Sequence, residues 1–349
     1  MVKWPRLAFA ALLSTTCAGG AKADAVADFY KGKTFSIIVG HQSGTGFDLY
    51  ARVLSRHMGR HIPGNPNIVV QNMNGASGLR SLNWLANVGP KDGTAMATMV
   101  FTAPFEPLMG NGKGKFDPRK FWWIGNMNTS VSTCGFSKAA GIKTVDDLFK
   151  KEVIVGGTAR AGPLSQVPSA LKNLLGMKIK LIPGYRGSSS IKLAIQRGEV
   201  QGACGISLST VYTRYKSLVD AGNYNIVLQV GPKPHPDLKD TPHVYKFAKS
   251  DEDRKVFDLI FGAQGLGRSF MATAEVPAAR GKALQKAFMD TMKDPQLLAE
   301  AKKINLRLRP VPGPEVAAFV KQAFKTPKPV VERAKKAIAF TPIRKKKKK

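Results

Sequence analysis

The sequence predicts an α/β fold in two halves, each a mainly parallel sheet flanked by helices. Short, almost continuously apolar runs alternate with amphipathic ones, and this alternation occurs twice along the chain. Strands buried on both faces read as unbroken apolar runs, as a parallel sheet between two helix layers requires. The length of 349 residues fits two domains, at ~150 residues each. A composition with 43% hydrophobic and 22% charged residues excludes a disordered chain.

In the first half, residues 34–40 (TFSIIVG) predict a strand, and 47–61 a helix with Tyr50, Val53, Leu54 and Met58 on one face. A strand at 67–71, a helix at 78–88 and a strand at 95–101 follow. The second half repeats the pattern, with strands at 152–156, 178–182, 200–204 and 225–230 and helices at 164–175, 188–197 and 209–219. Residues 277–338 read as mainly helical, with 305–309 a candidate edge strand. No linker separates the halves, so the chain is expected to cross between them twice and to return to the first near residue 230.

The net charge of +31 suggests a nucleic-acid binder. The two ends argue against it. Lys3 and Arg6 precede an apolar run at 7–13, and Ala21-Lys22-Ala23 supplies a cleavage signal, the pattern of a signal peptide over 1–23. Its apolar run is far shorter than the ~20 residues a membrane span needs. Lys3, Arg6 and Lys22 account for three of the charges and the tail Arg344–Lys349 for six, which leaves +22 on the body. The tail, 344–349, is expected to be solvated and disordered. The expected location is the periplasm, where nucleic acid is not a partner and a basic body draws anions.

Beyond residue 23 only Cys134 and Cys204 remain. In an oxidising compartment they can bridge, closing a loop of roughly 70 residues worth about 4 kcal/mol. Two separate buried thiols are the competing reading. No metal is expected, because no CxxC or comparable ligand spacing accompanies them.

The sharpest motif is His41-Gln42-Ser43-Gly44-Thr45-Gly46-Phe47-Asp48, between a strand and a helix. Glycines permit a tight turn, and free N–H groups at a helix start can hold an anion. A dinucleotide site fails here, because Leu49 stands where a third glycine belongs and no acid lies between Asp48 and Asp92. A P-loop fails for want of Gly-Lys-Ser/Thr. What survives is an anion cradle of Ser43, Gly44, Thr45 and Gly46, with Asp48 as helix cap or acceptor for a ligand donor; a purely structural turn competes with it. Three more small-residue loops, at 75–78, 156–162 and 184–189, lie at corresponding places. Ligands in parallel sheets bind beyond the strands' carboxyl ends, so these loops should converge on one cleft. Their amides, hydroxyls and arginines, Arg160 among them, would line it, and Thr102 and Tyr185 join the candidate ligand-binding set.

Catalytic groupings are thin. His57 and His61 stand four residues apart without a nearby acid, and are expected on a solvated helix face beside Arg56 and Arg60. No GxSxG elbow occurs, and Ser188–Ser190 read as a helix cap. Trp122-Trp123 reads as core at the crossover, or alternatively as a cleft wall. Neither catalysis nor a cofactor is expected.

The segments Val39–Asp48, Val69–Gly78, Pro90-Lys91-Asp92-Gly93-Thr94, Gly184-Tyr185-Arg186-Gly187, Leu193–Val200 and Asp290–Pro295 together resemble the extracytoplasmic solute receptors of tripartite tricarboxylate transporters, the Bug proteins. The resemblance implies a two-domain periplasmic-binding-protein fold of the second type, closing on a small solute. It also implies that backbone amides and hydroxyls of the Gly-rich loops hold the solute's carboxylate: Ser43, Gly44, Thr45, Gly46 and Asp48, with Thr158, Ala159 and Arg160. Gly44-Thr45-Gly46 replaces the adjacent glycines of many members, and His41-Gln42 is a less apolar entry. The expected domains are 24–127 with 229–343, and 128–228. The expected protein is a monomeric, non-enzymatic receptor that passes a small organic anion, a carboxylate, to membrane permease subunits. Two other readings compete. An exported hydrolase using Ser188 or Ser189 would need His41 within reach, and an envelope polyanion binder would lose its ligand in salt.

Overall fold

The computed structural model describes residues 21–110, 112–129 and 131–340. Residues 1–20 of the expected signal peptide and the whole basic tail lie outside them. The strands are β1 (Thr34–Val39), β2 (Asn67–Asn72), β3 (Ala95–Thr98), β4 (Trp122–Asn126), β5 (Ser132–Ser137), β6 (Val153–Gly156), β7 (Ile179–Ile182), β8 (Gly202–Ser207), β9 (Tyr224–Val230), β10 (Ser269–Ala272) and β11 (Val311–Pro312). They form two sheets, ordered β11-β4-β10-β3-β1-β2 and β7-β6-β8-β5-β9. With helices flanking both, this is a two-domain α/β fold.

Both sheets are mixed, where the apolar pattern suggested mainly parallel ones. The parallel trios β2-β1-β3 and β7-β6-β8 are strands linked through helices. The antiparallel partners β4, β5, β9, β10 and β11 surround the places where the chain changes sheets, and no crossover helix fixes their direction there. Three of these, β4, β5 and β10, are absent from the sequence pattern. The expected strand at 305–309 is not formed. Its edge position goes to Val311–Pro312, where a proline without an N–H is tolerated. The 209–219 helix carries a π-helical turn, Val211–Tyr215.

The helix Gly46–Met58 buries Tyr50, Val53, Leu54 and Met58 in one core with Phe35, Ile37 and Val39 of β1. Its basic end is not a solvated face, contrary to expectation. His57 and Arg56 reach Glu300, and His61 and Arg60 reach Asp294, clasping this helix to Pro295–Lys303. Trp123 of β4 is fully buried with its Nε1 donating to the Pro118 carbonyl at 2.9 Å, and Trp122 covers Gly281, so the pair is core.

In the second domain, helix Pro163–Leu175 packs on the sheet through Val167, Ala170 and Leu171. Helices Asp251–Gly262 and Lys328–Ile338 join it there, although both fall in the 229–343 stretch expected of the first domain. The cause is in their apolar faces: Val256, Phe257 and Ile260, and Val330, Val331 and Ala334, share that core. Cys134 of β5 and Cys204 of β8 stand directly opposite and are joined by a disulfide. Among the described residues, no helix is long and apolar enough to cross a membrane.

Candidate functional site: an interdomain cleft

The carboxyl ends of the six parallel strands, three from each sheet, face one another across a cavity of about 280 Å³. The segment after β1 brings His41, Thr45, Gly46 and Phe47; that after β2 brings Asn74–Ser77; that after β3 brings Val100 and Phe101. From the other side come Thr158, Ala159 and Gly162 after β6, Gly184–Arg186 and Ser188 after β7, and Ser207 with Thr210 at the end of β8. The halves meet at its edge, where Thr102 Oγ1 donates to the Ala161 carbonyl at 2.8 Å.

The loop after β1 is braced from beneath. Gly44 turns at φ +73°, in the region glycine favours. This turn lets its N–H donate to Asp48 at 2.8 Å. The same buried carboxylate accepts from Arg52 Nε at 3.0 Å and Asn72 Nδ2 at 2.9 Å. Burial pushes Asp48 up, but these donors outweigh it and hold the carboxyl below the usual range. Thr45 Oγ1 donates to the Gln42 carbonyl at 2.8 Å. Gly46 is crowded for a different reason: a Cβ there would lie 3.1 Å from Arg268 Nη2 and 3.4 Å from Thr210 Oγ1, so the Arg268 side chain would have to shift to admit it.

His41 stacks on Phe47, with ring centroids 5.7 Å apart. Burial, and then the nearby Arg268 charge, hold its pKa down to about 4, so the ring is neutral near pH 7. Its Nδ1 accepts from the Gln42 N–H at 2.9 Å. The proton therefore sits on Nε2, which acts as a donor.

Arg268, from the segment just before β10, also lines the cavity, and it is 2% exposed. Its guanidinium lies over Phe47 and Tyr50, 4.2 and 5.3 Å from the ring centroids. Nη1 donates to the Gly267 carbonyl at 3.0 Å, and Nη2 to Ser207 and Ser209 Oγ at 3.0 and 3.1 Å. Among the described residues Nε has no hydrogen-bond partner and Arg268 forms no ion pair.

Of the residues singled out from sequence, Thr45, Gly46, Thr158, Ala159 and Tyr185 line this cleft. Ser43, Gly44 and Asp48 do not line it; Ser43 and Gly44 donate to the Asp48 carboxylate, which shapes the loop. Thr102 and Arg160, with Ala159 again, line a second, mostly apolar cavity of about 490 Å³. There the Arg160 guanidinium sits 5.3 Å from the Phe340 ring. Sequence reasoning missed Arg268. It precedes its strand instead of following one, and its only local signal is a charge set in an apolar run, Leu266-Gly267-Arg268-Ser269-Phe270.

His41 and Ser188 both line the cleft, but no hydrogen bond joins His41 to Ser188 or Ser189, and Ser189 Oγ accepts from Arg214 at 3.2 Å. Among the described residues, no group of three or more His, Cys, Asp or Glu could hold a metal.

No protein-family model and no curated protein matches the chain. Solved structures do. The periplasmic binding protein BugD aligns with a TM-score of 0.68 at 18% identity, over 88% of this chain and 98% of its own. MatC from Rhodopseudomonas palustris, with bound malate, gives 0.64 at 16% identity, over 88% and 99%. A TctC solute-binding protein from Polaromonas gives 0.61 at 18%, again over 88% and 99%. The likeness lies in the fold, and the chain has the two-domain α/β architecture of these solute-binding proteins.

Proposed function

We propose that the protein is a periplasmic solute-binding receptor of the tripartite tricarboxylate transporter type. It captures a small organic anion, a carboxylate, between its two domains and delivers it to membrane permease subunits. One observation carries the reading: the described wall of the cleft holds Arg186, Arg268 and a neutral His41, with loop amides and hydroxyls, and no Asp or Glu. Such a wall favours a negative ligand and offers it directed donors. The malate in the MatC structure supports a carboxylate. The sheets suggest one domain built on β1–β4, β10 and β11 and another on β5–β9, whose closure the ligand stabilises by completing contacts that only the closed state offers. The hydrolase reading gains nothing from His41, which makes no hydrogen bond to Ser188 or Ser189.

Isothermal titration with malate, succinate, glutarate, pyruvate and benzoate tests the reading. Saturable heat with at least one is expected, and it should change little between about 50 and 200 mM salt. Binding that collapses by orders of magnitude over that range would mark a polyanion surface instead. Folded protein giving no heat with any of them refutes the proposal.

A further inference from the structure

Resting on that reading, we propose that Arg268 is the residue that takes the ligand's anionic group, and that it ties the occupied cleft to the hinge. A guanidinium has five N–H donors; three of them meet oxygens here, and Nε is one that does not. Three arginines elsewhere are matched to buried acids, in Arg52–Asp48, Arg60–Asp294 and Arg333–Asp253. Arg268 is more deeply buried than any of these arginines and has no acid. A charge withdrawn from water without a counter-ion is costly to keep. The hydroxyls of Ser207 and Ser209 and the Phe47 and Tyr50 rings would not by themselves require a full charge. A carboxylate entering the cleft supplies the missing counter-charge.

The position of Arg268 adds the mechanical half. Its backbone N–H donates to Asn126 Oδ1 at 2.9 Å and to the Asn128 carbonyl at 3.0 Å, on the segment by which the chain leaves the first sheet. Its Nη2 reaches the hydroxyls beyond β8 in the second sheet. One residue thus joins the crossing strand through its backbone and the opposite domain through its side chain. Arg186, on the exposed rim, has no comparable anchorage.

The experiment compares wild type, R268Q and R268K by titration with whichever carboxylate of the panel above gives the largest heat, and with the corresponding amide. The amide is expected not to bind wild type. R268Q should bind the carboxylate about 30-fold or more weakly, and R268K should fall between. Unliganded R268Q should melt at or above the wild-type temperature, because it no longer buries an unmatched charge. R268Q with wild-type affinity overturns the assignment and leaves the receptor reading standing; absence of any carboxylate binding by wild type defeats the receptor reading itself. If R268Q fails to fold, the amide arm decides with wild type alone: an amide that binds as tightly as the carboxylate overturns the proposal.

Discussion

Replacing both Cys134 and Cys204 with alanine tests how the second domain is held together. The two cysteines are 70 residues apart in sequence. Closing a loop of that size removes roughly 15 cal/mol/K of unfolded-chain entropy, about 4 kcal/mol at 25 °C. Both side chains are fully buried, and the lost sulfur packing adds about 1 kcal/mol. The closed loop contains β6, β7, the first half of β8 and helices Pro163–Leu175 and Ser188–Gln196, so the loss falls on the second domain. The assay can separate the domains. Beyond the expected signal peptide the tryptophans are Trp84, Trp122 and Trp123, and all three pack in the first domain. In urea, the far-UV CD of C134A/C204A should develop an early phase, while the tryptophan transition moves much less. Wild type unfolded with a thiol reductant should behave the same way. A CD difference of less than about 1 kcal/mol between oxidised and reduced protein would refute the reasoning, as would two free thiols in unfolded, unreduced protein starting at Asp24.

Two further expectations concern carboxylates. D48N should lower stability by about 1–3 kcal/mol, because an amide cannot accept from Gly44, Arg52 and Asn72 together; it should also weaken solute binding about tenfold by loosening the 43–46 loop, and unchanged urea midpoint and titration would show the brace to be idle. Asp48, Asp294 and Glu300 are all held below their ordinary values: burial opposes this at Asp48 and Asp294 but is outweighed by Arg52 with Gly44, and by His61 with Arg60, while Arg56 leads at Glu300. The folded state therefore binds fewer protons than the unfolded one, so their contribution is complete above about pH 5 and is lost as the pH falls below about 4. The urea midpoint should drop over that range, less steeply in E300Q, and a midpoint flat down to pH 3 would contradict the assignment.

Much of the fold was legible because its signals are local. The runs around Ile37-Ile38-Val39 and Val153-Ile154-Val155, closed by glycine, carry their own strand period and end. β5 carries no such signal: Ser132-Thr133-Cys134-Gly135 is small and polar, and it is buried only because β8 and β9 flank it. The cleft was legible for the same local reason, since Gly-rich segments after strands mark Thr45, Gly46, Thr158, Ala159 and Tyr185. Spacing does not say which way a loop side chain turns, and so Thr102 and Arg160 face the neighbouring cavity. The partners of His57 and His61 lie more than 230 residues away. No window around those histidines contains Glu300 or Asp294. Arg268 reaches the 41–47 loop only through the second crossing between sheets, a tertiary event without a sequence period.

The excess of basic residues takes on a divided meaning. Most of them are exposed, and their summed field fades over about 8 Å at physiological ionic strength. Such a field concentrates anions of every kind and selects none. Arg268 is a single charge among the many, yet it is withdrawn from water and salt, and hydroxyl oxygens that accept its hydrogen bonds hold it in place. On the receptor reading proposed above, discrimination between a carboxylate and its uncharged analogue is expected where the charge is dry, at the end of β8 and the start of β10, and not where the charge is plentiful.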